Sequence, residues 1–272
     1  MPIDSLPRLG LGTYSASNRE QWRDNVRTAL DVGYRHVDTA QIYENETYVG
    51  EGLAAAAVDR EDVFLSTKTM HVDVPADPSP EVVGDAIDGC LDRLGVDYVD
   101  MLYVHWPSGA YEHEAVLPAF DEAYREGKTR NVGLSNFTPD LLDEAREVLD
   151  APIAAHQVEC HPLLQQSELR EYAREHDHWL VAYSPLGKGA ALEDPTIREI
   201  AEKHDASPAQ VSLAWLLSKE NVAAIPKASS EAHMRDNLAA ADLELDAEDV
   251  ERIDDIDREH REIDPDHGPW NW

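Results

Sequence analysis

Short apolar runs alternate with longer stretches of helical spacing from one end of this chain to the other, and that rhythm restricts the architecture more than any other feature. Runs at Leu9–Gly12, His36–Asp38, Val63–Thr67, Met101–His105, Asn131–Ser135, Ala155–Val158, Trp179–Tyr183 and Val222–Ile225 read as strands. Helical spacing follows at Gln21–Val32, Glu46–Ala57, Pro80–Leu94, His113–Glu126, Pro139–Leu149 and Ser167–Glu175. It recurs at Thr196–His204, Pro208–Ser218, Glu231–Ala240 and Ala247–Asp257. Stop and start signals agree with the spacing: Gly33 closes the first helix, and Ser79-Pro80-Glu81 opens the third.

Eight strands, each followed by a helix, predict an α/β fold: a closed (β/α)8 barrel of the TIM type, in a single domain. The length of 272 residues suits one such barrel. An open doubly wound sheet is the competing architecture. No GxGxxG follows any strand, and LGLGT lacks the third glycine that a dinucleotide fold of that kind needs. No linker or low-complexity segment divides residues 1–272, and the Pro-, Asp- and Trp-rich end, within 258–272, reads as a loop.

Charge excludes several classes of function. Lys and Arg total 23 against 55 Asp and Glu, a net charge of −32, and only six residues are Lys. Such a surface repels nucleic acid and anionic membranes. The acids are dispersed along the chain, which suits work in concentrated salt, where screening removes self-repulsion. An ordinary acidic enzyme is the plainer alternative. Self-repulsion favours a monomer. No segment approaches the apolar length of a membrane helix, and the N-terminus has no secretory pattern, so the reading is a cytoplasmic protein. Cys90 and Cys160 have no metal or disulfide spacing, and the scattered His71, His156 and His161 give no ligand pattern, so no metal is expected.

In a barrel of this type the site lies at the carboxyl ends of the strands. Those positions hold Thr13, Asp38, Lys68, His105, Ser135-Asn136, Gln157, Tyr183-Ser184 and Lys227. All eight tips are polar after apolar interiors, which outlines the floor of a polar pocket. Singly, Asp38 could cap a helix, Lys68 could be a solvated surface residue, Tyr43 a loop aromatic and His105 a satisfied core histidine.

Taken together, the motifs resemble those of the aldo-keto reductase superfamily. GYRHVDTAQIYENE at 33–46 resembles its GxRxxDTAxxYxNE signature. LSTK at Lys68, LYVHWP at 102–107, GLSNF at 133–137, QVECHP at 157–162, AYSPLG at 182–187 and IPK at 225–227 resemble its later blocks, in order. The short connections and tail are more similar to prokaryotic members, such as diketogulonate and methylglyoxal reductases. The resemblance implies a catalytic group of Tyr43, Lys68, Asp38 and His105. Reducing a carbonyl takes a hydride to carbon and a proton to oxygen. A phenol near pKa 10 is a reluctant acid, and a neighbouring ammonium should lower that value. By resemblance Tyr43 is the general acid, Lys68 tunes it, Asp38 pairs with Lys68, and His105 orients the carbonyl.

The same resemblance implies a nicotinamide cofactor. Thr13, Asp38, Ser135, Asn136 and Gln157 would meet its nicotinamide half, with Tyr183 stacked on the ring. Ser184 and Leu186 would cover the pyrophosphate, and Lys227, Ser229, Ser230, His233, Asp236 and Asn237 the adenosine end. Two residues depart from the family pattern: Ala228 replaces a Ser, and His233 falls where an Arg is expected. Arg235 is a possible substitute, although on a helix it would point elsewhere. NADPH is the expected cofactor, because Lys227 and Ser230 remain, with NADH or dual use as the alternative. Tyr14, His105 and Trp106 would contact substrate, and Trp270 and Trp272 would either line the mouth or plug the rim. The expected activity is NAD(P)H-dependent reduction of an aldehyde, ketone or keto sugar. These residues leave open a dehydrogenase of sugars or alcohols and a non-catalytic, cofactor-binding regulatory subunit.

Overall fold

A computed structural model describes residues 3, 6–14, 18–72 and 75–272. Among them eight parallel strands form one sheet in chain order: β1 (Leu11–Gly12), β2 (His36–Asp38), β3 (Phe64–Thr69), β4 (Met101–Val104), β5 (Val132–Ser135), β6 (Ile153–Glu159), β7 (Trp179–Tyr183) and β8 (Val222–Ala224). The sheet closes on itself beside β1. Gly10 N–H donates to the Ala224 carbonyl at 2.8 Å, Ala224 N–H to Arg8 at 2.8 Å, and Gly12 N–H to Pro226 at 3.1 Å. The expected single-domain (β/α)8 barrel is therefore what these residues form.

Ten α-helices are described: α1 (Gln21–Val32), α2 (Glu46–Ala55), α3 (Pro80–Leu94), α4 (His113–Arg125), α5 (Pro139–Val148), α6 (Ser167–Glu175), α7 (Pro195–Lys203), α8 (Pro208–Ser218), α9 (Glu231–Ala239) and α10 (Ala247–Asp254). Local chemistry sets their ends. Gly33, at φ 122°, takes a conformation closed to most side chains, and its N–H caps the carbonyls of Ala29 and Leu30. Ser207 and Gln210 form a reciprocal capping box at the start of α8. α10 stops at Asp254, short of the expected Asp257, where the Gln165 amide takes up the freed carbonyl of Ile253 at 2.8 Å.

Two strands run longer than expected, and both matter below. β3 continues to Thr69 because Thr69 pairs with Val104 of β4. β6 reaches Glu159, which pairs with Tyr183 of β7. Lys68 and Gln157 thus lie inside strands, not at their tips.

Side chains alternate along each strand between the barrel interior and the helix layer. Leu102, Val104, Val132 and Leu134 face outward into a core shared with α3, α4 and α5. Burying each such side chain stabilises the fold by roughly 1.5–3 kcal/mol. Phe64, Met101, Tyr103, Ala155, Val181 and Ala223 fill the interior instead. Gly133 makes room for the Tyr103 ring, since a Cβ there would lie 2.4 Å from it. On the parity of Phe64, Ser66 and then Lys68 follow up the inside of β3, which delivers a lysine into the mouth of the barrel. Among the described residues no helix is long and apolar enough to cross a membrane.

Candidate active site

Asp38 ends β2 and Lys68 is the penultimate residue of β3, so parity turns both inward. Their side chains are almost fully buried, with Nζ 2.5 Å from Asp38 Oδ1. Lys68 also donates to the Thr39 carbonyl at 2.8 Å. Asp38 Oδ2 accepts from Ser66 Oγ at 2.8 Å and, across the barrel, from Gln157 Nε2 at 2.9 Å. A buried ion pair is tolerable only when its remaining donors and acceptors are satisfied in this way. Burial pulls the Lys68 ammonium down, and Asp38 opposes that pull.

Tyr43 ends a single helical turn, Gln41–Tyr43, which Glu44 closes at φ 52°. Bonds from the strands hold this loop: Thr69 Oγ1 donates to Gln41 at 2.7 Å, and Asn45 links Thr39 Oγ1 (2.7 Å) to the Thr13 carbonyl (2.9 Å). The Tyr43 ring centre lies 5.1 Å from Lys68 Nζ and 5.8 Å from the His105 ring. Tyr14 packs edge-on against it at 5.1 Å. The predicted lowering of the phenol is not what this site shows. Burial, then Asp38 and Tyr14, push the Tyr43 phenol well above its ordinary value. The largest cause is burial, which disfavours the charged phenolate, and the Asp38 carboxylate adds to it.

His105 follows β4 directly, its N–H bonded to the Thr69 carbonyl at 2.8 Å. It is the first gain from the longer β3. Burial, with Lys68 and His71 nearby, holds its imidazole far below the usual range, so the ring is neutral at physiological pH. The His105 carbonyl accepts from Asn136 Nδ2 at 2.9 Å. Asn136, at φ 65°, also accepts from the Tyr183 hydroxyl at 2.9 Å, and Ser135 Oγ donates to the Gln157 carbonyl at 2.9 Å. Ser135, Asn136, Gln157 and Tyr183 are thereby one connected ring with His105 and Asp38.

The residues assigned to the far end of a cofactor are less uniform. Leu186 packs on the β7–β8 core, and Ser184 turns the chain at φ 46°. Lys227 is exposed, 3.2 Å from Ser229 Oγ, and Ser230 caps α9 by accepting from His233 N–H. His233 is exposed on α9. Arg235, on the same helix, is exposed and pairs with Glu231 at 2.8 Å. Asp236 accepts from Ser207 at 2.8 Å and Gln210 at 3.0 Å, tying α9 to α8, and Asn237 is buried beside the Tyr34 hydroxyl.

At the mouth Trp106 is buried, 5.7 Å from Trp270 and 5.0 Å from His267 by ring centres. Tyr14 is 58% and Trp272 69% exposed, so Trp270, not the terminal tryptophan, meets Trp106. Sequence reasoning missed four residues here. His71 lies 5.0 Å from His105, and His267 6.5 Å from His71. Glu46 accepts from Thr67 Oγ1 at 2.5 Å on the helix side of β3, and Glu159 is fully enclosed at the end of β6. An acid inside an apolar run, as in QVEC, was the available signal for Glu159.

The pocket fits a nicotinamide group on its own chemistry. Thr13 Oγ1 and His105 Nδ1 are buried polar atoms with no partner among the described residues. A hydroxyl and a ring nitrogen left unmatched in this way suit an amide ligand that both donates and accepts.

The profile of the Aldo/keto reductase family matches residues 8–258. Methylglyoxal reductase DkgB of Escherichia coli O157:H7 is 38% identical over 264 residues, 96% of this chain and 97% of that protein. Glyoxal reductase of Bacillus subtilis strain 168 is 36% identical, over 94% of this chain and 91% of its own. Among solved structures, an aldo-keto reductase from a Medee basin deep-sea metagenome library superimposes with a TM-score of 0.87 at 32% identity, covering 94% of this chain and 93% of that one.

Proposed function

Because the chain belongs to the aldo/keto reductase family, we propose that it reduces the carbonyl of small aldehydes, ketones or keto sugars with NADPH, and that Tyr43 gives the proton. The nicotinamide ring, when bound, would supply the hydride. Asn136, Ser135 and Gln157 would hold its carboxamide, with the Tyr183 ring alongside. Lys227 and Ser229 would meet the phosphate end.

The carrying observation is Tyr43 set between Lys68 and the neutral ring of His105, 5.1 and 5.8 Å away. His105, uncharged, orients a carbonyl oxygen by a hydrogen bond without competing as an acid. Tyr43 stays protonated at neutral pH, since burial pushes its phenol up. It releases the proton only as negative charge develops on the carbonyl oxygen. In the reverse direction the same residue, as phenolate, would accept the proton of an alcohol, so the ratio of reduced to oxidised cofactor sets the direction. The two relatives named for methylglyoxal and glyoxal support short dicarbonyl compounds as first substrates to try.

The test is NADPH oxidation with methylglyoxal by the native chain and by Tyr43→Phe. Turnover should fall by at least about 100-fold, while dinucleotide binding, read by tryptophan fluorescence, stays within twofold. Unchanged turnover would remove Tyr43 from the mechanism.

We also read the net charge of −32 as a surface for concentrated salt, on a monomer of the cytosol. Glu244, Glu248, Glu251, Asp255, Asp257 and Glu259 are all exposed around α10. The melting temperature should climb steadily up to molar potassium chloride; a flat profile above about 0.2 M would reject this reading.

A further inference from the structure

Glu159 is the last residue of β6 and only 1% exposed, yet no lysine or arginine pairs with it among the described residues. Its carboxylate is spent on the C-terminal tail. Oε1 accepts from Glu262 N–H at 2.6 Å, and Oε2 from Ile263 N–H at 2.8 Å. His161 Nε2 lies 3.0 Å from Oε1, while its Nδ1 accepts from Leu163 N–H at 3.2 Å. That second bond fixes the tautomer: Nδ1 is the acceptor, so Nε2 carries the hydrogen and donates to Glu159. Burial alone would raise the Glu159 carboxyl; the His161 bond and the two tail amides outweigh it and hold it below the usual range.

What the tail does next gives the clamp its meaning. Past Ile263, Asp264 accepts from Trp270 Nε1 and Asn271 Nδ2, both at 2.9 Å, so the tail folds on itself. It then meets the barrel mouth through rings, His267 and Trp270 against Trp106. Arg258, Arg261 and Trp270 also form one wall of a cleft of about 540 Å³, facing Phe137 and Leu163.

We propose that Glu159 is a positioning residue for substrate choice: by clamping the amides of residues 262 and 263, it sets Trp270 and His267 over Trp106 and so limits the carbonyl compounds that reach Tyr43. The inference rests on reading the pocket as a reductase. It asks nothing of Glu159 in the chemistry itself, since the carboxylate is wholly engaged by the tail and His161.

The test compares Glu159→Gln with Ile263→Pro, which removes one of the clamped N–H groups and leaves β6 untouched. With Gln, one carboxylate oxygen becomes an NH2 that cannot accept from an amide. Because Oε1 serves two donors and Oε2 one, the NH2 falls opposite Ile263 N–H, and hydrogen exchange at residue 263 should quicken by tenfold or more, on the order of a local opening. For both variants kcat/KM for a bulky aromatic aldehyde should rise about tenfold relative to methylglyoxal, mainly through a lower KM, while NADPH affinity holds. Deleting residues 264–272 should give the same change in ratio, and adding Glu159→Gln to that deletion should change it no further. Slow exchange in Glu159→Gln, or fast exchange with an unaltered substrate ratio in both variants, would overturn the proposal. Were the native chain to reduce no carbonyl at all, the reductase reading would fall, and the exchange experiment would still decide whether Glu159 holds the tail.

Discussion

The ring of side chains around Asp38 and the segment from Lys227 to His233 lie at the same end of the barrel, yet they are built in opposite ways. In the first, Asp38, Lys68, Gln157, Ser135, Asn136 and Tyr183 are tied to one another by bonds of 2.5–3.1 Å, and most are buried. In the second, Lys227, Ser229, Ser230 and His233 are exposed, and the one cation makes a 3.2 Å contact with a neighbouring hydroxyl. Buried polar groups must find partners inside the protein, so each fixes the next. Exposed ones can be satisfied by water, so their geometry is left for a ligand to set. On the proposed reading the chemistry would sit where the chain dictates geometry, and dinucleotide preference where it does not.

The largest expected effect breaks the buried half. Asp38→Asn leaves the Lys68 ammonium enclosed without a counter-charge, which should cost about 3–5 kcal/mol in urea unfolding. A loss below about 1 kcal/mol would mean that the ring tolerates a free charge and is less closed than described.

Acid provides a second, smaller probe of the same contrast. Behind β6 and β7, burial first, then Arg146 and His176, hold His178 down to about 3. The unfolded chain takes up a proton near the ordinary 6.5, which the folded chain refuses until about pH 3. Stability is therefore full above pH 6.5 and falls as pH drops through that window, by up to about 1.4 kcal/mol per unit from this residue. Unfolding free energies measured from pH 7 to pH 4 should show this slope, and His178→Asn should make it shallower, leaving the share of the other buried histidines His36, His105 and His156.

The smallest effect sharpens the exposed half. His233→Arg should tighten NADPH by about three- to tenfold relative to NADH, since a guanidinium near a 2′-phosphate in water is worth only about 1 kcal/mol. Equal changes for both dinucleotides, measured by fluorescence titration, would place residue 233 away from the phosphate.

The same contrast explains what could be read from sequence. Strand order and barrel closure were legible because apolar alternation and glycine stops are local signals, and α1, α3, α6 and α8 fall at their expected bounds. The convergence of Asp38, Lys68, Tyr43 and His105 was legible from motif resemblance and strand parity. The strand ends were not, because Thr69 and Glu159 join β3 and β6 through pairing with Val104 and Tyr183, partners distant in sequence. The state of Tyr43 was misjudged for a related reason. Sequence shows a lysine and an aspartate near a tyrosine, whereas the sign of the shift depends first on burial. That Asp236, expected at the adenosine end, also ties α9 to α8 is something only the tertiary contact with Ser207 and Gln210 reveals.

Lys68 stands within a strand that is bonded on both sides, to β2 and to β4. Asp38 likewise closes a strand and does not ride on a loop. On the proposed reading the ion pair that backs Tyr43 is thus carried by the frame, and the surfaces that would choose a substrate are carried by segments hung from it. Such a division lets insertions, deletions or whole exchanged loops accumulate at the rim while the proton-transfer geometry is inherited intact. A lineage built this way can change its diet without relearning its chemistry.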